Sequence, residues 1–217
     1  MPIILRIDPS NPDPKVISEA GQILKKGGLC IFPTETVYGL GFDIRNPETT
    51  TRLENLKHRP ALPLMAHCSN ESQLNNLVAE ISENGRLLMD RFWPGPLALI
   101  FKKSSSVPES ITAGFDTIGI RMVSNPVARK LIAELSCPIA ATSANLHQES
   151  TVNEFGKIST SLLNQVDVAI DAGIAGKGKP STIIDITREP PVLLRLGAVP
   201  SVAIEAVLGC RLARPSD

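Results

Sequence analysis

The stretch Leu29-Cys30-Ile31-Phe32-Pro33-Thr34-Glu35-Thr36-Val37-Tyr38-Gly39-Leu40-Gly41 decides how this chain is read. Leu29 to Phe32 is an unbroken apolar run after Gly27-Gly28, and it reads as a buried strand that runs straight into Pro33. The nine residues from Pro33 to Gly41 then carry two threonine hydroxyls, one carboxylate, one phenol and two glycines. A loop at the end of an apolar strand is where ligands sit in open α/β sheets. The structural alternative is an ordinary strand-to-loop turn. Tyr38 is the single tyrosine, and taken alone it reads as a packing residue with a satisfied hydroxyl.

Working outward, Ile3 to Ile7 reads as a strand. Asp13 can cap a helix with Pro14 at its first position. Val16, Ile17, Ala20, Ile23 and Leu24 lie on one face of that helix. Asn46-Pro47-Glu48 opens a second helix, which ends near Lys57-His58-Arg59-Pro60 because proline disfavours helix in the residue before it. Further strands are expected at Leu62 to Ala66, Leu97 to Phe101, Thr117 to Val123, Ile139 to Thr142, Val166 to Ile170, Thr182 to Ile186 and Val192 to Leu194. Helices are expected near 70–80, 83–92 and 126–135, with a last one from Pro200. Residues 103–110 read as a polar loop and Trp93-Pro94-Gly95-Pro96 as a rigid turn. Some strands follow each other without a helix, which predicts an α/β fold with a twisted mixed sheet, parallel and antiparallel, flanked by helices. The 217 residues fit one large domain over 1–209, with a flexible tail over 210–217.

Composition removes several classes. Apolar residues make up 42 % of the chain, and 22 basic residues balance 22 acidic ones. A neutral chain lacks the general excess of cations that nucleic-acid binding needs, so any anion site must be local. Cys30, Cys68, Cys137 and Cys210 are far apart and form no C-x-x-C pair, which argues against a disulfide framework or a zinc site. No apolar run approaches a membrane span of about 20 residues, and the N-terminus is too short for a signal peptide, so a cytoplasmic location is expected.

Among motifs, Gly173-Ile174-Ala175-Gly176-Lys177-Gly178-Lys179-Pro180 nearly matches a phosphate-binding P-loop. Pro180 stands where a hydroxyl should meet magnesium, and a strand follows where a helix is required, so the match fails. Other segments point to an anion site. Lys57 and Arg59 could be a phosphate clamp at a helix end, or mere compensation of the helix dipole. Arg121 and Arg195 each sit in an apolar strand, where a buried charge needs a partner. Ala140-Ala141-Thr142-Ser143-Ala144-Asn145 is a buried strand that ends in small polar groups, suited to an anion or to capping a helix. His67 follows an apolar strand and by itself reads as structural. The cations Lys57, Arg59, Arg121 and Arg195 would repel if they converged without an anion. No activated nucleophile accompanies them, and phosphoryl or nucleotidyl transfer can proceed by positioning and electrostatics alone.

Six segments in one order, P-T-E-T-V-Y-G-L-G, K-x-R-P, W-P-G-P-L, I-G-I-R, T-S-A-N and S-T-I-I-D…L-L-R-L-G-A, closely resemble the YrdC family over about residues 10 to 208. The resemblance implies a YrdC-like fold with a concave cationic site. It also implies synthesis of L-threonylcarbamoyladenylate and pyrophosphate from L-threonine, bicarbonate or CO2, and ATP. Partner proteins would transfer the threonylcarbamoyl group to tRNA adenosine beside the anticodon. Carried over by position, it places L-threonine on Thr34, Tyr38, His67, Arg121, Ala141 and Ser181. It places ATP on Lys57, Ala61, Thr117, Ser143, Thr151 and Arg195, with Lys57, Arg59, Ser143 and Asn145 as the catalytic phosphate-binding set. Magnesium would arrive with the ATP phosphates, and no tightly bound organic cofactor or protein metal site is implied. Members of this length lack the extra C-terminal domain of longer relatives.

There are departures. Arg59 to Leu64 is one residue shorter than the usual R-P-x-x-x-P-L, Ala98 replaces a common threonine, and Leu146 to Thr151 lacks the usual glycine. A rival reading is an RNA-binding or ribosome-maturation factor on the same fold; a third is a carbamoyl-transfer module. The role of Glu35 stays open at this level: it is either a partner for one of the cations or part of the loop.

Overall fold

The computed structural model describes residues 2–58, 61–146 and 149–215. Ten strands form one sheet: β1 (Ile3–Arg6), β2 (Cys30–Phe32), β3 (Gly39–Asp43), β4 (Met65–Cys68), β5 (Leu97–Lys102), β6 (Thr117–Met122), β7 (Ile139–Ser143), β8 (Val168–Asp171), β9 (Thr182–Asp185) and β10 (Val192–Arg195). Their order across the sheet is β1-β8-β2-β3-β7-β4-β6-β5-β9-β10. Four neighbouring pairs are parallel (β1/β8, β2/β8, β4/β6, β5/β9) and five antiparallel (β2/β3, β3/β7, β4/β7, β5/β6, β9/β10). The mixed α/β sheet expected from the sequence is therefore present.

The helices are α1 (Pro14–Lys25), α2 (Thr49–Lys57), α3 (Glu83–Phe92), α4 (Glu109–Thr112), α5 (Pro126–Leu135), α6 (Thr160–Leu163) and α7 (Ser201–Leu208). Asp13 caps α1 by accepting from Lys15 N at 2.9 Å, with Pro14 at its start as expected. Asn125 caps α5 in the same way, accepting from Val127 and Ala128 N–H. α1 packs against α5 and α3 against α7, so apolar helix faces close the sheet.

Several expectations are corrected. The strand expected at 62–66 begins only at Met65 and runs to Cys68, because Pro63 offers no N–H to a ladder. The helix expected near 70–80 is one 3-10 turn, Glu71–Leu74. Part of the expected loop 103–110 starts the short helix α4. The largest correction concerns 39–41, read as loop, which belong to β3 at the centre of the sheet. There Gly41 pairs with Cys30 on one side and Ala141 on the other. A Cβ on Gly41 would lie 2.6 Å from the Ala140 carbonyl oxygen, so β3 and β7 approach to a distance that only glycine allows. The tail expected to be flexible is bonded in part: Leu193 N donates to Ala213 O and Ala213 N to Pro191 O, both at 2.9 Å. Cys30, Cys68 and Cys137 are buried thiols, and Cys210 is half-buried.

Candidate active site

The chain leaves β2 at Phe32, passes through Pro33 to Tyr38 and returns as β3. The Thr34 hydroxyl holds this turn. It donates to Val37 O at 2.6 Å and accepts from the N–H of Thr36 and Val37 at 3.2 and 3.3 Å. The near-P-loop glycines back the turn from outside. Gly178 N donates to Thr36 O at 3.0 Å, and Gly176, at φ +60, lies where a Cβ would stand 2.4 Å from the Glu35 carbonyl carbon. That segment is therefore a brace, not a phosphate cradle.

The turn and the adjoining ends of β4, β6, β7 and β9 enclose a cavity of about 250 Å³. His67 and Arg121 are register partners on the parallel strands β4 and β6, and both are buried. Burial and then the charge of Arg121 hold the His67 imidazole well below its usual pKa, so it is neutral. Its Nδ1 is buried with no hydrogen-bond partner among the described residues. Arg121 donates from Nη1 to Thr36 Oγ1 at 3.0 Å, and its Nε lies 3.5 Å from Glu35 Oε1. Burial lowers its proton affinity and Glu35 opposes that. Arg195 donates from Nε to Ser181 O and from Nη2 to Ser181 Oγ, both at 3.0 Å. Its desolvated guanidinium and the nearby Arg121 charge both lower its pKa. Two guanidiniums, a neutral imidazole and several hydroxyls thus face one hollow, a set suited to an anion with two or more oxygens.

Nine of the expected residues line this cavity: Thr34, Tyr38, His67, Arg121, Ala141, Ser143, Thr151, Ser181 and Arg195. Two of them spend their hydroxyls elsewhere. Thr34 bonds within its own turn, and Tyr38 OH accepts from Ala172 N and donates to Gly173 O, both at 3.1 Å. Five lie elsewhere. Lys57 ends α2 but is buried, unlike a surface cation that only compensates the helix dipole: it is 3 % exposed, and Nζ donates to Ser143 O at 2.7 Å. Asn145 donates from Nδ2 to Leu146 O and Glu149 O at 2.9 and 2.8 Å, stapling the loop after β7. Thr117 begins β6, paired with Lys102 and four residues before Arg121. Ala61 is exposed beside the cavity segment Leu62-Pro63. Arg59 lies outside the described residues.

Sequence reasoning missed Thr36, Met65 and Ile183, which also line the cavity. Strand alternation could have found two of them: Met65 is two before His67, and Ile183 two after Ser181. Thr36 gives no such signal, since its partner Arg121 is 85 residues away. Among the described residues, no group of three or more His, Cys, Asp or Glu could hold a metal ion.

Comparison with known proteins shows the family. The family model for Sua5, YciO and YrdC proteins, described as telomere recombination, matches residues 22–197. A threonylcarbamoyl-AMP synthase of Pyrococcus abyssi is 40 % identical over 210 residues, 96 % of this chain and 62 % of that protein. The chain thus spans about three fifths of that relative's length. The structure of P. abyssi Sua5 complexed with L-threonine superposes with a TM-score of 0.94 at 38 % identity, covering 98 % of this chain and 62 % of the other. Escherichia coli YciO gives 0.84 at 31 % identity, covering 92 % and 98 %.

Proposed function

We infer the activity from one premise, that this chain belongs to the Sua5/YciO/YrdC family, and propose that it is an L-threonylcarbamoyladenylate synthase. The observation that carries the reading is the buried Arg121 beside neutral His67 in the cavity, in a chain whose relative binds L-threonine.

Arg121 receives the α-carboxylate of L-threonine through N–H groups not used by Thr36. Neutral His67 lies beside it and can hydrogen-bond without adding charge. The threonine amine attacks CO2 through its lone pair and loses a proton, giving a carbamate. A carbamate oxygen then attacks the α-phosphorus of ATP, the bond to the β-phosphate oxygen breaks, and pyrophosphate leaves. Negative charge grows on phosphate oxygens, and Arg195 at the rim offers donors to them. Buried Lys57 fixes the Ser143 carbonyl and so the end of β7, where Ser143 lines the cavity.

Magnesium enters as part of the nucleotide substrate and screens its phosphates when bound. The cavity's own groups suit this, because its lining carries guanidiniums and hydroxyls, and the nearby Glu35 carboxylate is turned to Arg121. The product would serve threonylcarbamoyl transfer to tRNA by other proteins, in the cytoplasm. No described helix is long and apolar enough to cross a membrane.

The test is incubation with ATP, magnesium and bicarbonate, with and without L-threonine. Pyrophosphate release that requires L-threonine is expected. Release unchanged by omitting it overturns the reading.

A further inference from the structure

Arg121 has five N–H donors and no acceptor. Its Nη1–H goes to Thr36 Oγ1 at 3.0 Å, so that oxygen accepts. The Thr34 proton is committed to Val37 O at 2.6 Å. With both those protons committed, the 2.9 Å contact between the two threonine hydroxyls is assigned as a donation from Thr36 to Thr34, shared with the longer N–H bonds that Thr34 accepts. This leaves one direction for the chain: Arg121 to Thr36, Thr36 to Thr34, Thr34 to the Val37 carbonyl. Each bond polarises the next.

Glu35 stands behind the same guanidinium. Its Oε1 is 3.5 Å from Arg121 Nε, and neither atom has a hydrogen-bond partner among the described residues. That is too long for a good hydrogen bond yet close enough for strong attraction in a buried setting. The other oxygen, Oε2, accepts from Ser124 N and Asn125 N at 3.2 and 3.4 Å, which ties Glu35 to the start of α5. Gly176 and Gly178 brace the Glu35–Thr36 backbone. The guanidinium is thus met by a hydroxyl relay and a carboxylate from two adjacent residues whose backbone is itself held in place.

We propose that Thr36, with Glu35 behind it, is the positioning residue of Arg121, fixing which guanidinium N–H groups face the cavity and so selecting a ligand carboxylate with two oxygens in the guanidinium plane. The proposal rests on the function reading for its ligand, and on the geometry alone for its mechanism.

Half-saturating L-threonine and ATP are measured for the wild type, Thr36→Val and Thr36→Ser. Thr36→Val is expected to raise the L-threonine requirement about tenfold or more, the scale of one charge-assisted bond, with the ATP requirement unchanged. Thr36→Ser keeps the hydroxyl and is expected to stay within about threefold of wild type. An unchanged L-threonine requirement in Thr36→Val, equal shifts for both substrates, or no rescue by serine would each overturn the proposal. Should Thr36→Val fail to fold, Glu35→Gln carries the test, with the same split expected and an unmoved L-threonine requirement refuting it. A wild type that needs no L-threonine would sink the function reading instead. Positioning is then decided by the Arg121 Nε–H signal in nuclear magnetic resonance, assigned by its loss in Arg121→Lys. That signal is expected to shift or broaden in Thr36→Val and return in Thr36→Ser; a signal unmoved by Thr36→Val refutes positioning.

Discussion

Replacing Arg121 by methionine separates what this residue does for the fold from what it does for the ligand. Methionine keeps the length of the side chain and removes the charge. Glu35 then remains with its side chain 14 % exposed and loses the cation 3.5 Å away. At that distance the direct attraction is about 5 kcal/mol with an effective dielectric constant near 20. Removing one member of a buried pair costs about 3–5 kcal/mol. Glu35 keeps two backbone N–H donors, from Ser124 and Asn125, which favours the lower end, about 3 kcal/mol. For a chain of this size that lowers the midpoint of thermal unfolding by about 6–12 °C. The assay is urea unfolding followed by the fluorescence of Trp93, the single tryptophan. Adding Glu35→Gln to Arg121→Met removes the stranded charge, and the double variant is expected to recover about 2 kcal/mol of the loss. Neither variant is expected to bind L-threonine. If Arg121→Met is within about 1 kcal/mol of wild type, or the double variant is no better than the single, the ion pair does not support the fold and the reasoning fails.

Two further outcomes follow from other parts of the structure. Burial pushes the Tyr38 phenol up to about 12, against an ordinary value near 10. Because the folded value is the higher one, this stability is present below pH about 10 and is lost as pH rises through about 12. Tyr38 is the only tyrosine, so its ultraviolet titration in the folded chain reads it alone, and a midpoint near 10 would contradict the burial. Gly41→Ala places a methyl 2.6 Å from Ala140 O and 2.7 Å from Ile139 Cγ2, where carbon–oxygen contacts need roughly 3.3 Å. The expected cost is about 3 kcal/mol, read as a fall of about 6–12 °C in calorimetry. A fall under about 2 °C would show that β3 and β7 are not as tightly joined as described.

Much of the fold was legible because local rules decide it. Asp13-Pro14 and Asn125-Pro126 start helices through capping chemistry that needs only neighbours in sequence. Apolar runs at 97–101, 117–123 and 139–142 became β5, β6 and β7 within two residues, since a buried strand needs only a short apolar stretch. β3 was not legible. Gly39-Leu40-Gly41 carries two glycines, which locally weaken a strand, and only the approach of β7 explains them.

The candidate site divides in the same way. The cationic residues in apolar strands pointed to Arg121 and Arg195, the family resemblance added His67 and Ser181, and the structure gathers all four around one cavity. Lys57 shows the limit. Its place at a helix end left a phosphate clamp and dipole compensation both open, and only the tertiary structure, by bringing the last residue of α2 to the end of β7, decided that its ammonium is buried on the Ser143 carbonyl. Glu35 and Thr36 show it again, because their partner Arg121 lies more than 80 positions along the chain. The sequence by itself determined most of the strands and helices, β3 and the 70–80 segment aside, and which polar groups stand at their ends, because those follow from spacings of two to four residues. Which of those ends meet, and which hydroxyls are consumed within the protein, was decided by long-range packing, whose distances local spacing does not encode.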